Sequence, residues 1–141
     1  MDRSAGLVVD AGPLFALVDR HDPDHARCSS LLASHAGPLV VPMLTIADVA
    51  HFVQMRLQIE AQIRLALDLA TGTLVPEAVH PADWPRIAAL VERYSDLRRG
   101  IVDASVVAAA ERLRITRIAT LDRRHFGVVR PAHVDAFELL P

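Results

Sequence analysis

The stretch Leu7-Val8-Val9-Asp10-Ala11-Gly12-Pro13-Leu14 decides the fold class. It opens with a short apolar run, partly β-branched, which is typical of a buried strand, and the apolar spacing from Leu14 onward is helical. Gly12 and Pro13 stand at the change of pattern, so the stretch predicts a strand that turns into a helix. The acidic residue Asp10 stands directly after the strand.

The same alternation continues outward along the chain. Further strands are predicted at residues 39–41, 118–121 and 136–139, with an edge strand near residues 74–79 that Pro76 interrupts. The helices between them include one that Asp22-Pro23 opens and that runs to about residue 35. The pattern predicts an α/β fold: one domain over residues 1–141, with a mostly parallel central sheet and helices on both faces.

Composition narrows the function classes. The 141 residues are 52% hydrophobic and 23% charged, which fits one folded domain and excludes disorder as the main state. The net charge of −2 gives no general argument for nucleic-acid binding. Cys28 is the only cysteine, so an intramolecular disulfide and a multi-cysteine zinc site are excluded. No apolar run is long enough to cross a bilayer and no signal peptide is recognisable, so we expect a cytoplasmic protein without a membrane partner.

Four aspartates are predicted to meet at one edge of the sheet. Asp10 and Asp122 follow predicted strands, whereas Asp48 and Asp103 lie near the starts of helices. In a parallel sheet, the carboxyl ends of the strands and the starts of the following helices share one edge. Clustered carboxylates repel one another, so an ionised cluster requires a cation.

The chemistry of these ligands indicates the cation and the reaction. Oxygen ligands favour Mg²⁺ or Mn²⁺ over zinc. Such an ion orients and ionises a water molecule and neutralises charge on a phosphate, which suits phosphodiester hydrolysis. Three of the acids also have a structural interpretation: Asp48 and Asp103 as first-turn acids favoured by the helix dipole, and Asp122 as the N-cap of a short turn through Phe126.

Four stretches carry a resemblance to a known family. They are residues 8–14, residues 41–50, residues 94–105 and the segment Thr120-Leu121-Asp122-Arg123-Arg124-His125-Phe126. In this order and spacing, the chain resembles the PIN-domain family and, within it, the VapC-type toxin ribonucleases of toxin–antitoxin pairs. The matching stretches span nearly the entire chain.

The resemblance implies roles for particular residues. Asp10 and Asp103 would be the principal metal ligands, Asp122 would complete the acidic site, and Thr120 would support it by hydrogen bonding. Asp96 matches a position that is frequently acidic in the family. Asp48 departs from the pattern because the family usually carries glutamate there, and its shorter side chain leaves two alternatives, direct contact with the metal or contact through water.

The resemblance also implies an activity and partners. We expect an endoribonuclease that needs Mg²⁺ or Mn²⁺, forms a homodimer, is inhibited by a small antitoxin and cleaves tRNA or ribosomal RNA. Arginine suits phosphate binding, and the arginines beside the acidic residues are expected to hold the RNA backbone: Arg98, Arg99, Arg123 and Arg124. The mean hydropathy of +0.28 and apolar residues such as Phe52, Leu57, Ile63, Leu67 and Trp84 favour the dimer.

Two alternatives remain from the sequence. The first is a catalytically impaired PIN-like module that acts only by binding RNA or protein, for which the replacement at Asp48 is the sequence argument. The second is a phosphatase of the haloacid dehalogenase type with Asp10 as nucleophile. That enzyme class would need a second aspartate two residues later, where Gly12 stands.

Overall fold

The central sheet is built from five short strands. The computed structural model describes residues 2–95 and 100–141. The strands run in the order β3-β2-β1-β4-β5, and all four pairings are parallel. They are β1 Leu7–Val9, β2 Leu39–Pro42, β3 Val75–Glu77, β4 Arg117–Ala119 and β5 Glu138–Leu140. Val8 of β1 pairs with Val40 on one side and with Ile118 on the other, so β1 lies in the middle of the sheet.

Helices connect the strands and cover the sheet. They are α1 Ala11–Val18, α2 His25–Ser34, α3 Met43–Arg56, α4 Ile59–Ala70, α5 Asp83–Arg93, α6 Ile101–Leu113 and α7 Arg123–Val128. Within residues 2–95 and 100–141, no helix is both long and apolar enough to span a membrane.

Side chains along the strands point alternately to the two faces of the sheet, and each face has its own hydrophobic core. Val8 and Val40 pack with residues of α5 and α6, including the fully buried Leu90. Their neighbours in the strands, such as Val9, pack instead with residues of α1 to α4 such as Leu14. Strands buried on both faces read as continuous apolar runs, as β1 and β2 do. The predicted α/β fold is confirmed, and the sheet is parallel throughout.

Several predicted element boundaries were wrong, among them the start of the last strand, predicted at residue 136 and observed at Glu138. The helix predicted to start at Asp22-Pro23 begins at His25, because Oδ1 of Asp22 accepts a hydrogen bond of 2.8 Å from the amide of Asp24 and holds a turn there. The strand predicted at residues 118–121 ends at Ala119, and Asp122 is instead the N-cap of α7. The chain turns after Ala119 because the side chain of Thr120 bonds locally to the backbone of Asp122.

An ion-pair network joins the edge strand β3 to α5 and α6. The guanidinium of Arg112 contacts Glu77 at 2.8 Å and Asp83 at 3.0 Å, and Arg3 contacts the other oxygen of Glu77 at 2.6 Å. The amide of His80 donates to Asp83 as well, at 2.9 Å. Burial alone would raise the pKa of Asp83, but the hydrogen bonds from Arg112 and His80 and the nearby positive charges together hold that pKa below its usual value.

This shift predicts a pH-dependent contribution to stability. Because the folded-state pKa of Asp83 is lower than the unfolded value of about 3.9, its stabilising contribution is present above that pH and is lost as the pH falls through the folded-state pKa. We expect Asp83→Asn to lower the free energy of unfolding by about 1–3 kcal/mol at pH 7, and the difference from wild type to close in acid. Urea unfolding from pH 7 down to pH 3 measures both effects. Asp135→Asn, at an exposed position, is the control; a pH-independent deficit in Asp83→Asn would contradict the assignment.

Candidate active site

The buried carboxylate of Asp10 forms the centre of the candidate site. Asp10 follows β1, is the N-cap of α1, and is only 3% exposed. Its amide donates to the carbonyl of Ala119 at 2.9 Å, which extends the pairing of β1 with β4 by one residue. A polar side chain is rarely buried this far unless it is hydrogen-bonded.

The hydroxyl of Thr120 supplies that hydrogen bond. Oγ1 of Thr120 donates to Oδ2 of Asp10 at 2.9 Å and accepts from the amide of Asp122 at 3.0 Å. The hydroxyl is therefore held at both ends and fixes the orientation of the carboxylate. The hydrogen bond expected of Thr120 is therefore present, whereas its role in a metal site stays a prediction.

Asp103 and Asp48 lie on helices that reach the same part of the fold. Asp103 lies in the first turn of α6 and is 2% exposed. Gly100 precedes that helix with a φ of 49°, a conformation that favours glycine. Asp48 is half-buried in α3. The helix α6 packs against both β1 and α3, so the elements that carry Asp10, Asp48 and Asp103 are direct neighbours.

Thr45 was not predicted from the sequence as a site residue. It is fully buried in the first turn of α3, three residues before Asp48, and its hydroxyl makes no hydrogen bond to any part of the chain that the structure describes. A buried hydroxyl without a partner costs about 1–3 kcal/mol. Its spacing from Asp48 places the two side chains on one face of the helix. The one signal in the sequence was the position of Thr45 near the start of a predicted helix.

Asp122 combines a capping role with a contact to histidine. Its carboxylate accepts from the amide of His125 at 3.2 Å, so the capping interpretation is confirmed. The same carboxylate lies 2.7 and 2.8 Å from Nδ1 of the His125 ring. His125 was not singled out from the sequence, although its spacing of three residues from an N-cap aspartate is the signal that reveals it. The pairing fixes the ring beside the turn that carries Thr120.

The acidic side chains of the site are candidate ligands for a metal ion. In residues 2–95 and 100–141, no group of three or more Asp, Glu, His or Cys side chains is arranged to hold a metal ion. Asp96 lies outside the described residues. Among the residues that the structure describes, the two most deeply buried carboxylates are those of Asp10 and Asp103, and they supply oxygen ligands alone, which is the chemistry that suits Mg²⁺ or Mn²⁺.

The predicted arginines have different surroundings. Arg98 and Arg99 lie outside the described residues. Arg123 donates to the carbonyl of Leu139 at 3.1 Å and to that of Pro141, so it attaches α7 to the last strand. Arg124 is exposed in the first turn of α7.

A cleft of about 330 Å³ opens beside the carboxylates, and we call it the side cleft. Its walls are formed by Phe15 of α1, by Asp22, and by the α3 residues Phe52 and Arg56. Ala11, Gly12 and Leu121 form its inner end, directly after Asp10 and directly before Asp122 in sequence. The guanidinium of Arg56 lies 4.9 Å from the centre of the Phe52 ring. Sequence reasoning missed this cleft because three separate segments create it.

Comparison with known proteins identifies the class. The chain matches the PIN domain over residues 7–130. Because this match covers most of the chain, the protein belongs to the PIN-domain family.

A curated relative and a solved structure are similar over nearly the whole chain. Ribonuclease VapC26 of Mycobacterium tuberculosis (strain ATCC 25618 / H37Rv) is 35% identical over 135 residues, which are 96% of this chain and 100% of that protein. The sarcin–ricin loop cleaving toxin VapC20 of Mycobacterium tuberculosis is 17% identical with a TM-score of 0.78, over 92% of this chain and 98% of that chain. The predicted resemblance to the PIN-domain family and its VapC-type members is confirmed.

Two of the similar structures are of assemblies. A toxin–antitoxin complex from Klebsiella pneumoniae matches with a TM-score of 0.68 and 17% identity, over 87% of this chain and 92% of that chain. VapBC2 from Rickettsia felis, bound to a DNA fragment from its promoter, matches with a TM-score of 0.69 and 15% identity, over 96% and 99%. At these identities, the likeness concerns the fold.

The Thr120 hydroxyl generates a testable prediction. Thr120→Val keeps the shape of the side chain but removes the donor to Asp10 and the acceptor for Asp122. We expect it to lower the free energy of unfolding by about 1–3 kcal/mol, whereas Thr120→Ser, which keeps the hydroxyl, stays closer to wild type. Urea unfolding of the two variants compares them directly. Equal stability of Thr120→Val and wild type would show that the hydroxyl does not hold the carboxylate.

Proposed function

We propose that this protein is a divalent-metal-dependent endoribonuclease and the toxin of a toxin–antitoxin pair. The observation that carries the proposal is the buried Asp10 carboxylate, oriented by Thr120 at the end of the central strand. The relationship to Ribonuclease VapC26, at 35% identity over nearly the full chain, supports RNA as the substrate.

Asp10 and Asp103 are the proposed ligands of Mg²⁺ or Mn²⁺. Both are almost completely buried, and both present carboxylate oxygens. When bound, such an ion orients and helps to ionise a water molecule and neutralises charge that builds on the phosphate. Asp122 completes the acidic site in this proposal, and Asp96 contributes a further acidic group. Asp48 acts through water because its side chain is one methylene shorter than the usual glutamate.

The protein's own residues fix the geometry of this site. Thr120 donates to one oxygen of Asp10, so the carboxylate cannot rotate freely. Asp122 donates its amide to Thr120 and holds His125 through its carboxylate. Outer groups of this kind set the orientation of the ligating atoms.

Arginines beside the site are the proposed contacts to the RNA backbone. Arg124 is exposed at the start of α7, and its guanidinium makes no hydrogen bond or ion pair to the described residues. Arg98 and Arg99 precede α6 in sequence and belong to the same proposal. Arg123 is proposed to contact the RNA backbone as well, from its position beside the last strand. The proposed substrate is a structured RNA, tRNA or ribosomal RNA.

The proposed partners are a small antitoxin and a second copy of the chain. Similar structures from Klebsiella pneumoniae and Rickettsia felis contain toxin–antitoxin assemblies, which supports the antitoxin. The helix α4 exposes Ile63 and Leu67 on one side, and Trp84 is exposed in α5, which supports a dimer through these helices. Phe52 and Leu57 are half-buried and contribute less to that surface. A cytoplasmic location is part of the same proposal.

Charge removal at the two buried aspartates tests the enzyme directly. Asp10→Asn and Asp103→Asn each remove a negative charge and almost no volume, so we expect the fold to persist and Mg²⁺- or Mn²⁺-dependent RNA cleavage to fall by more than about 100-fold. The measurement is sequencing of RNA ends after a brief pulse of expression, followed by cleavage assays with purified protein.

Asp135→Asn, an exposed substitution of the same chemistry, is the matched control and is expected to cleave like wild type. Full cleavage by both buried-site variants would reject the assigned site. A wild type that binds RNA but cleaves none would favour the alternative, a PIN-like binding module.

Asp48 supplies a second test. Asp48→Glu restores the side-chain length usual in the family, so we expect activity to be retained or increased, while Asp48→Ala reduces it by about 10–100-fold. Titration of cleavage rate against Mg²⁺ concentration separates a loss of metal affinity from a loss of turnover. If Asp48→Ala matches wild type in both, Asp48 has only a structural role in α3.

A further inference from the structure

The side cleft lies directly beside the carboxylates but takes no part in the proposed metal chemistry. Its inner end is formed by residues next to Asp10 and Asp122 in sequence, and its outer wall is formed by α3. Its volume of about 330 Å³ lies at the lower end of the range for small-molecule sites in proteins. Ala11 and Leu121 connect the inner end of the cleft through one peptide bond each to Asp10 and Asp122.

The wall of the cleft on α3 presents two flat groups. The guanidinium of Arg56 lies over the ring of Phe52 at 4.9 Å, and the ring of His51 meets Phe52 edge-on at 5.8 Å. Aromatic rings and arginine planes are the surfaces on which unpaired RNA bases stack. The positive charge of Arg56 also favours a ligand that carries phosphate.

The opposite side of the cleft offers a hydrogen-bond acceptor. Asp22 lines the cleft, and the backbone amide of Asp24 donates to its Oδ1 at 2.8 Å, which fixes the carboxylate. Guanine places two adjacent N–H donors on its Watson–Crick edge, so it can pair with a carboxylate through two hydrogen bonds. Uracil places one N–H between two carbonyl oxygens, which a carboxylate repels. Adenine and cytosine present a single amino group and fall between these two cases.

We propose that the side cleft binds one unpaired base of the RNA, with guanine preferred, beside the phosphate that is cleaved. This inference rests on the proposed ribonuclease function and adds a residue set that determines sequence preference. Phe52 and Arg56 provide the stacking surface, and Asp22 reads the edge of the base. The acidic site then acts on the phosphate attached to that nucleotide.

Binding in EDTA tests the proposal without cleavage. The probes are fluorescein-labelled single-stranded hexauridylate and the same hexamer with guanosine, adenosine or cytidine at its third position, followed by fluorescence anisotropy. We expect wild type to bind the guanosine hexamer about five-fold or more tightly than hexauridylate. Phe52→Ala should weaken binding of the guanosine hexamer about five-fold or more, and Phe52→Trp should retain it. Asp22→Asn should remove the preference for guanosine and retain or raise affinity for hexauridylate.

Met55→Ala is the matched control, because Met55 lies on the same helix, is 70% exposed and does not line the cleft. Circular dichroism and urea unfolding of each variant establish that the fold persists. Equal affinity for all four hexamers, or an unchanged affinity in Phe52→Ala, would overturn the base site whatever else occupies the cleft. A guanosine preference in a protein that cleaves no RNA would support the cleft and reject the nuclease. If cleavage requires Asp10 but is unchanged by substitutions at Phe52 and Asp22, the ribonuclease function is supported and the base site is rejected.

Discussion

A hydrogen bond between the side chains of Thr120 and Asp10 joins distant parts of the chain at the candidate site. Thr120 and Asp10 are 110 positions apart in sequence, yet the hydroxyl of one donates to the carboxylate of the other at 2.9 Å. The contact requires β4 to lie beside β1 in the correct register, which the pairing of Val9 with Ala119 provides. A slip of one residue would turn every strand side chain to the opposite face and remove the donor from Asp10. The acidic site therefore depends on the same register as the two cores.

The strand order explains why the elements that carry or precede Asp10, Asp48 and Asp103 are neighbours in the fold. With β1 in the centre of the sheet, β2 and β4 flank it, and each is followed or preceded by a helix that carries an aspartate. The parallel topology sends every strand in one direction, so the helices that follow start from a common edge. Asp48 and Asp103 reach that edge through the starts of α3 and α6.

Much of the fold was predictable, because strands buried on both faces leave a clear pattern. The apolar runs that became β1 and β2 correspond closely to the structure. The helix predicted to start at Asp22 starts later because the side chain of Asp22 forms a turn instead of capping a helix. Aspartate favours both arrangements, so the residue type alone does not distinguish them. The contact of Asp122 with His125 is local and could have been read from their three-residue spacing, whereas the side cleft depends on how separate segments pack, which no single stretch of sequence reveals.

The acidic site and the side cleft share the turn that leaves β1, and Gly12 is the position that allows both. A methyl group added at Gly12 would stand 3.2 Å from Cδ1 of Leu121 and 3.3 Å from its Cβ, closer than ordinary contact. Relief would require Leu121 to move, and Leu121 lies between Thr120, which orients Asp10, and Asp122, which holds His125. A side chain at position 12 therefore acts on the inner end of the cleft and on the carboxylate support at once. Base recognition and phosphate chemistry, as proposed, are coupled through the close packing of this one turn.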